Sequence, residues 1–65
     1  MSNESPYLQE LRRQKQIITN DINMLVNDYN NISDVFVKIK LKSIIEQKET
    51  RLLKLMKEME QYGNS

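Results

Sequence analysis

Leu8, Leu11, Ile18, Ile22, Leu25, Tyr29 and Ile32 fall on alternating three- and four-residue steps, and Lys15 is the one polar residue on a step of that series. A repeat averaging 3.5 residues places one narrow apolar seam along a helix, where it packs against the seam of another helix. The stepping resumes at Leu41 and runs through Ile45, Leu52, Leu55, Met59 and Tyr62, with Lys48 on the vacant step. Two seams in one short chain predict helices that associate.

The chain divides between those two runs. Ser5-Pro6 is a strong helix start, because a serine oxygen accepts a backbone N–H as N-cap and proline suits the first helical position. The stretch from Asn27 to Asp34 is rich in Asn, Asp and Ser, whose side chains compete for the backbone and favour turns. A turn is expected there, with Asn30 or Asn31 in the left-handed conformation that closes a helix and with Ser33 or Asp34 capping the next one. The rival arrangement is one continuous helix, since the repeat runs on through Tyr29 and Ile32. Val35 to Lys42 alternates apolar and basic residues and is β-branched at Val35, Val37 and Ile39, which is a strand signal. Nothing else in the chain offers it a pairing strand, so it is read as the start of the second helix. The expected layout is a disordered tail over residues 1–5, a hairpin domain over 6–62 (helix 6–29, turn 30–33, helix 34–62) and a frayed end over 63–65, where Gly63 suits a helix terminus.

The fold class that follows is all-α: an antiparallel helical hairpin, a two-helix coiled coil, completed by dimerisation or by a partner protein. With 65 residues the chain forms one domain. A single core of that size rarely supplies more than about 3–5 kcal/mol. Having neither Cys nor His, the chain lacks disulfides and the usual metal ligands as substitutes. Another protein chain, identical or not, is the remaining common source of stability. Charge favours the antiparallel fold-back, with net −2 over residues 1–34 and net +3 over residues 35–65. Folding at about residue 32 sets Leu25 near Leu41, Ile22 near Ile44 or Ile45, Leu11 near Leu55 and Leu8 near Met59. Lys15 and Lys48 then fall among apolar layers, where a lysine lowers stability but restricts register and partner number.

Apolar residues outnumber what one seam needs. Ile17 and Met24 lie off the first seam, seven residues apart on one outer face; Ile39 and Leu53 lie off the second. These four form a candidate second interface. The candidate partner-binding set is therefore Leu8, Leu11, Ile17, Ile18, Ile22, Met24 and Leu25 in the first half, with Ile39, Leu41, Ile45, Leu52, Leu53, Leu55 and Met59 in the second.

Little catalytic chemistry is open to the chain. The absence of His and Cys removes the common general base, the thiol nucleophile and the soft-metal ligands. The Asn/Asp runs at 20–23 and 27–28 lack the spacing and the glycine of a calcium loop. The only glycine, Gly63, leaves no phosphate-cradling loop. No enzyme activity, metal or cofactor is expected. Lys40, Arg51, Lys54 and Lys57 fall on one broad face of the second helix and form a candidate nucleic-acid-binding stripe. Glu46, Glu49 and Glu58 interrupt that stripe, and no aromatic residues interleave it for base stacking. Arg12-Arg13 is a second basic pair, with Glu10 one turn from Arg13. There is no run of about 18 apolar residues to span a membrane, and the polar N-terminus is unlike a signal peptide. A cytoplasmic location is expected.

Thr19–Leu25 resembles the S-Q-E-L-D segment of small sporulation aspartyl-phosphate phosphatases, with Asn23 in place of the motif's aspartate, so that activity is not carried over. Tyr7–Arg13 resembles the start of the Hha family of nucleoid-associated modulators, whose later acidic and aromatic features are missing here. In length and layout the chain is similar to the Rop-type RNA-binding dimers and to the small co-chaperones of type III secretion needle subunits. The expected function is protein–protein interaction, as an adaptor, assembly factor or co-chaperone acting through heptad seams, with self or another protein as partner. The alternative is a hairpin dimer that binds nucleic acid through its basic second helix.

Overall fold

The structure, a computed structural model, describes residues 5–63. Two helices account for nearly all of them: α1 over Pro6–Asn31 and α2 over Val35–Gly63, with no strand among the described residues. The chain is the all-α helical hairpin expected from its seams, and the β-branched stretch from Val35 is helical throughout.

Each helix begins with a side-chain cap. Ser5 is extended (φ −67°, ψ 151°), and its Oγ accepts the Leu8 N–H at 3.1 Å, with Pro6 opening the helix behind it. Asp34 caps α2, its Oδ1 accepting the Phe36 N–H at 2.9 Å and the Val37 N–H at 3.2 Å. Its negative charge also suits the positive end of the helix dipole.

The turn differs in detail from expectation. Helix α1 runs two residues further, to Asn31, and no described residue has a positive φ. Neither Asn30 nor Asn31 takes the left-handed conformation. The chain leaves the helix instead at Ile32, which is extended (φ −95°, ψ 136°) and donates its N–H to the Asp28 carbonyl at 3.0 Å. Asn31 adds a side-chain bond to the Asn27 carbonyl at 2.9 Å, which satisfies another of the helix's last acceptors. Helix α2 extends through Gly63, one residue beyond the expected end. Most of the tail expected over residues 1–5, and residues 64–65 of the expected frayed end, lie outside the described residues.

Both seams face inward. In α1 the steps at Leu8, Leu11, Lys15, Ile18, Ile22, Leu25 and Tyr29, and Ile32 just beyond its end, are all buried or half-buried. In α2 the same holds at Lys38, Leu41, Ile45, Lys48, Leu52, Leu55 and Met59. Leu11, Ile18 and Leu55 form the buried core, and Leu8, Ile22, Leu52 and Met59 pack against it. Tyr62, on the next step, stays exposed and meets Tyr7 edge-on, with ring centroids 5.1 Å apart at 72°. Bonds between Tyr7 and Glu58 and between Asp21 and Lys48 fix the antiparallel register at two heights.

The core is thin enough that one side chain matters. Leu55→Ala removes a buried leucine at a cost of about 2–5 kcal/mol, comparable with the whole stability of a core this small. Leu53, two residues away, is 61% exposed, and Leu53→Ala should stay within about 0.5 kcal/mol of the parent. Thermal melts followed by circular dichroism should show helicity lost in the first variant and kept in the second.

Candidate interaction surfaces

Helical spacing gives the hairpin two broad faces on either side of the seam. The first carries Tyr7 and Asp21 from α1 and Arg51 and Glu58 from α2. The Tyr7 hydroxyl donates to Glu58 Oε2 at 2.7 Å across it. Ile17 and Met24, four residues before and three after Asp21, share this face, as do Val37 and Ile44, spaced seven apart with Arg51 and Glu58. The second face carries Arg12, Gln16 and Thr19 from α1 and Met56 and Glu60 from α2. Two open hollows of about 320 and 350 Å3 meet there at Lys15 and Met59. Leu53 and Ile39 lie on this side by their spacing from Met56 and Glu60.

The four off-seam candidates therefore do not make one interface. Ile17 and Met24 lie on the first face, Ile39 and Leu53 on the second, and all four are exposed. The ten seam candidates are instead turned toward the other helix of the same chain: Leu11, Ile18 and Leu55 are buried, and Leu8, Ile22, Leu25, Leu41, Ile45, Leu52 and Met59 are half-buried. Sequence reasoning missed the exposed apolar residues Val26, Val35, Phe36, Val37, Ile44 and Met56. Phe36, at the hairpin tip, is 79% exposed. Their positions off the 3–4 steps were the available signal.

The seam lysines each find a different accommodation. Lys48 Nζ lies 3.4 Å from Asp21 Oδ2, with both side chains half-buried and in reach of solvent. Lys38, which extends the second seam one step before Leu41, holds its ammonium 4.9 Å from the centroid of the Tyr29 ring. Lys15 is half-buried and lines an open hollow with Met56, Met59 and Glu60, a setting that suits a side chain with an apolar stem and a charged tip.

Lys40, Arg51, Lys54 and Lys57 are all exposed. Arg51 and Lys54 line a hollow of about 170 Å3 that also contains Leu55 and Glu58, so an acid sits inside the basic stripe. At the start of α1, Arg13 donates to Glu10 at 2.6 and 3.0 Å. That bond, helped by Gln14, holds the Glu10 carboxyl below its ordinary value and raises the Arg13 guanidinium. Tyr7 is pushed above its usual 10.0, first by its hydrogen bond to Glu58, then by desolvation and by the carboxylate's charge. Among the described residues no helix is long and apolar enough to cross a membrane, and no three His, Cys, Asp or Glu gather as metal ligands do.

Two measurements probe these contacts. Lys48→Leu should raise the melting temperature by several degrees: burying a leucine side chain stabilises by roughly 1.5–3 kcal/mol, while a solvated ion pair contributes about 0–1 kcal/mol. A lower melting temperature would mean that Lys48 faces solvent or that its pair with Asp21 is needed. Tyr7 tests the clasp at the open end. A group whose folded pKa is raised stabilises fully below its unfolded value and loses that contribution as pH climbs through the folded one. The melting temperature should therefore fall as pH rises past about 10, and Tyr7→Phe should show a shallower fall over the same range.

Set beside known proteins, the chain matches no family model, no curated protein and no solved structure.

Proposed function

We propose that this chain is a helical protein–protein interaction module, an adaptor, assembly factor or co-chaperone working in the cytoplasm. One observation carries the reading: the hairpin is a single layer whose own seam buries only three large apolar side chains among the described residues, while twelve remain exposed on its outer surfaces. Folding hides the seam within the chain, so recognition falls to the outer faces, where Ile17, Met24, Ile39 and Leu53 stand at helical spacing. A partner helix laid along such a face buries the apolar row, and the surrounding charges set its direction. Coiled-coil association of this kind needs no catalytic group, which suits a chain without His or Cys.

The test uses variants that leave the inner seam untouched. Met24→Glu and Leu53→Glu change residues 67% and 61% exposed, so both chains should keep their helicity. Tagged parent and variant chains are used to capture proteins from host cells, and the captured proteins are identified by mass spectrometry. The parent should retain a defined set that persists in high salt, and at least one variant should lose it. Identical capture by all three chains would remove the outer faces from the reading. Capture of nucleic acid instead, weakening about a hundredfold between 50 and 200 mM salt as about four phosphate contacts require, would replace it with binding through Lys40, Arg51, Lys54 and Lys57.

A further inference from the structure

The hairpin measures 49 × 19 × 12 Å, and its thinnest dimension is that of one helix with its side chains. The chain exposes 5402 Å2, whereas a compact protein of its 7.8 kDa exposes about 4400 Å2. A single layer of two helices has no third element to cover its broad faces, and these faces are what a partner can bury.

Charge selects the face and the direction. On the face shared by Tyr7 and Glu58, α1 contributes Asp21 and Asp28 beside Ile17 and Met24, whereas α2 contributes Lys40, Arg51 and Lys54 beside Val37 and Ile44. The α1 edge of this face is acidic, and the α2 edge is basic apart from Glu58, which accepts from the Tyr7 hydroxyl of the same chain. A second copy turned about a two-fold axis parallel to the helices lays α1 over α2 of the partner subunit and keeps every residue at its own height. Acid then meets base along both edges, and all neighbouring helices run antiparallel. A two-fold axis across the helices lays α1 on α1, acid on acid, which opposes association. The opposite face is the weaker complement: Arg12 is the single charge on its α1 edge, and its α2 edge mixes Lys42 with Glu46, Glu49 and Glu60.

We propose that this chain pairs with a second copy of itself through the Ile17–Met24–Ile44 face, about a two-fold axis parallel to the helices, as a four-helix assembly. Met24 packs near Ile44 of the partner subunit, and Asp28 stands near Lys40 of the partner subunit. The inference rests on the interaction reading above and names its partner. Because the axis generates each contact twice, every substitution acts twice per dimer.

Sedimentation equilibrium of the full chain should give twice the chain mass. Asp28→Lys and Lys40→Glu each place like charges together at two sites, and each alone should weaken the dimer about tenfold or more at low ionic strength. Mixing the two variants restores opposite charges at both sites, so the mixture should recover the parent's affinity as a heterodimer. Contacts within one chain are the same before and after mixing and cannot produce that recovery. Met24→Glu should give a helical monomer. Three results would overturn the inference: a fully helical parent monomer at all concentrations, a dimer indifferent to both charge changes, or no recovery on mixing. A monomeric parent that still captures host proteins through Met24 or Leu53 would leave the interaction reading in place, whereas one that does neither would overturn both.

Discussion

Leu11, Ile18 and Leu55 are the large apolar side chains that the hairpin takes almost wholly out of water. The register, the orientation of both broad faces and the solvation of every charged pair follow from how those three meet. Leu8, Ile22, Leu52 and Met59 extend the contact without closing it, because two helices side by side cannot enclose a residue from every direction. Such a seam defines one arrangement but holds it weakly, so each contact at the ends and on the flanks carries weight. The Asp34 cap, the Ile32–Asp28 bond and the Tyr7–Glu58–Tyr62 cluster hold the two ends where the leucines and isoleucines are sparse.

Three lysines on the seam show what a thin core tolerates. In a core enclosed on every side an ammonium at such a position would be stranded; here all three lysines stay half-exposed. Lys48 crosses to Asp21, Lys38 rests over Tyr29, and Lys15 lines an open hollow with Met56 and Met59. Each lysine therefore costs apolar burial but leaves no charge unsatisfied. These positions also discourage alternative registers, since a shifted hairpin would set a lysine against Leu11 or Leu55 without its present neighbours.

The fold was legible because its determinants are local. The 3–4 steps state which residues share a helix face, and Ser5-Pro6 and the Asn/Asp/Ser run state where helices begin and end, all within a few residues of sequence. What escaped depends on the other helix or on the ends. Tyr62 lies on a seam step, yet at its height α1 has just begun, and its ring meets Tyr7 edge-on while remaining half in water. Lys38 reads as a solvent residue in an alternating stretch and becomes a seam residue only when Tyr29 is opposite it. The Asn residues supplied a turn without a left-handed cap because the chain leaves the helix at Ile32 in an extended conformation. The candidate surface was half legible: Ile17, Met24, Ile39 and Leu53 could be recognised as surplus, but their division between two faces required the register. Phe36 and Val35 were hidden by the strand-like pattern around them.

The most direct test of the hairpin register is a methyl-resolved nuclear Overhauser experiment on labelled chain diluted into unlabelled chain, so that only contacts within one molecule are seen. The inward seams predict contacts between the methyl groups of Leu11 and Leu55, and none from Leu53 to α1. Contacts that place Leu53 against α1 in the same chain, with Leu55 facing water, would contradict the register and every surface built on it.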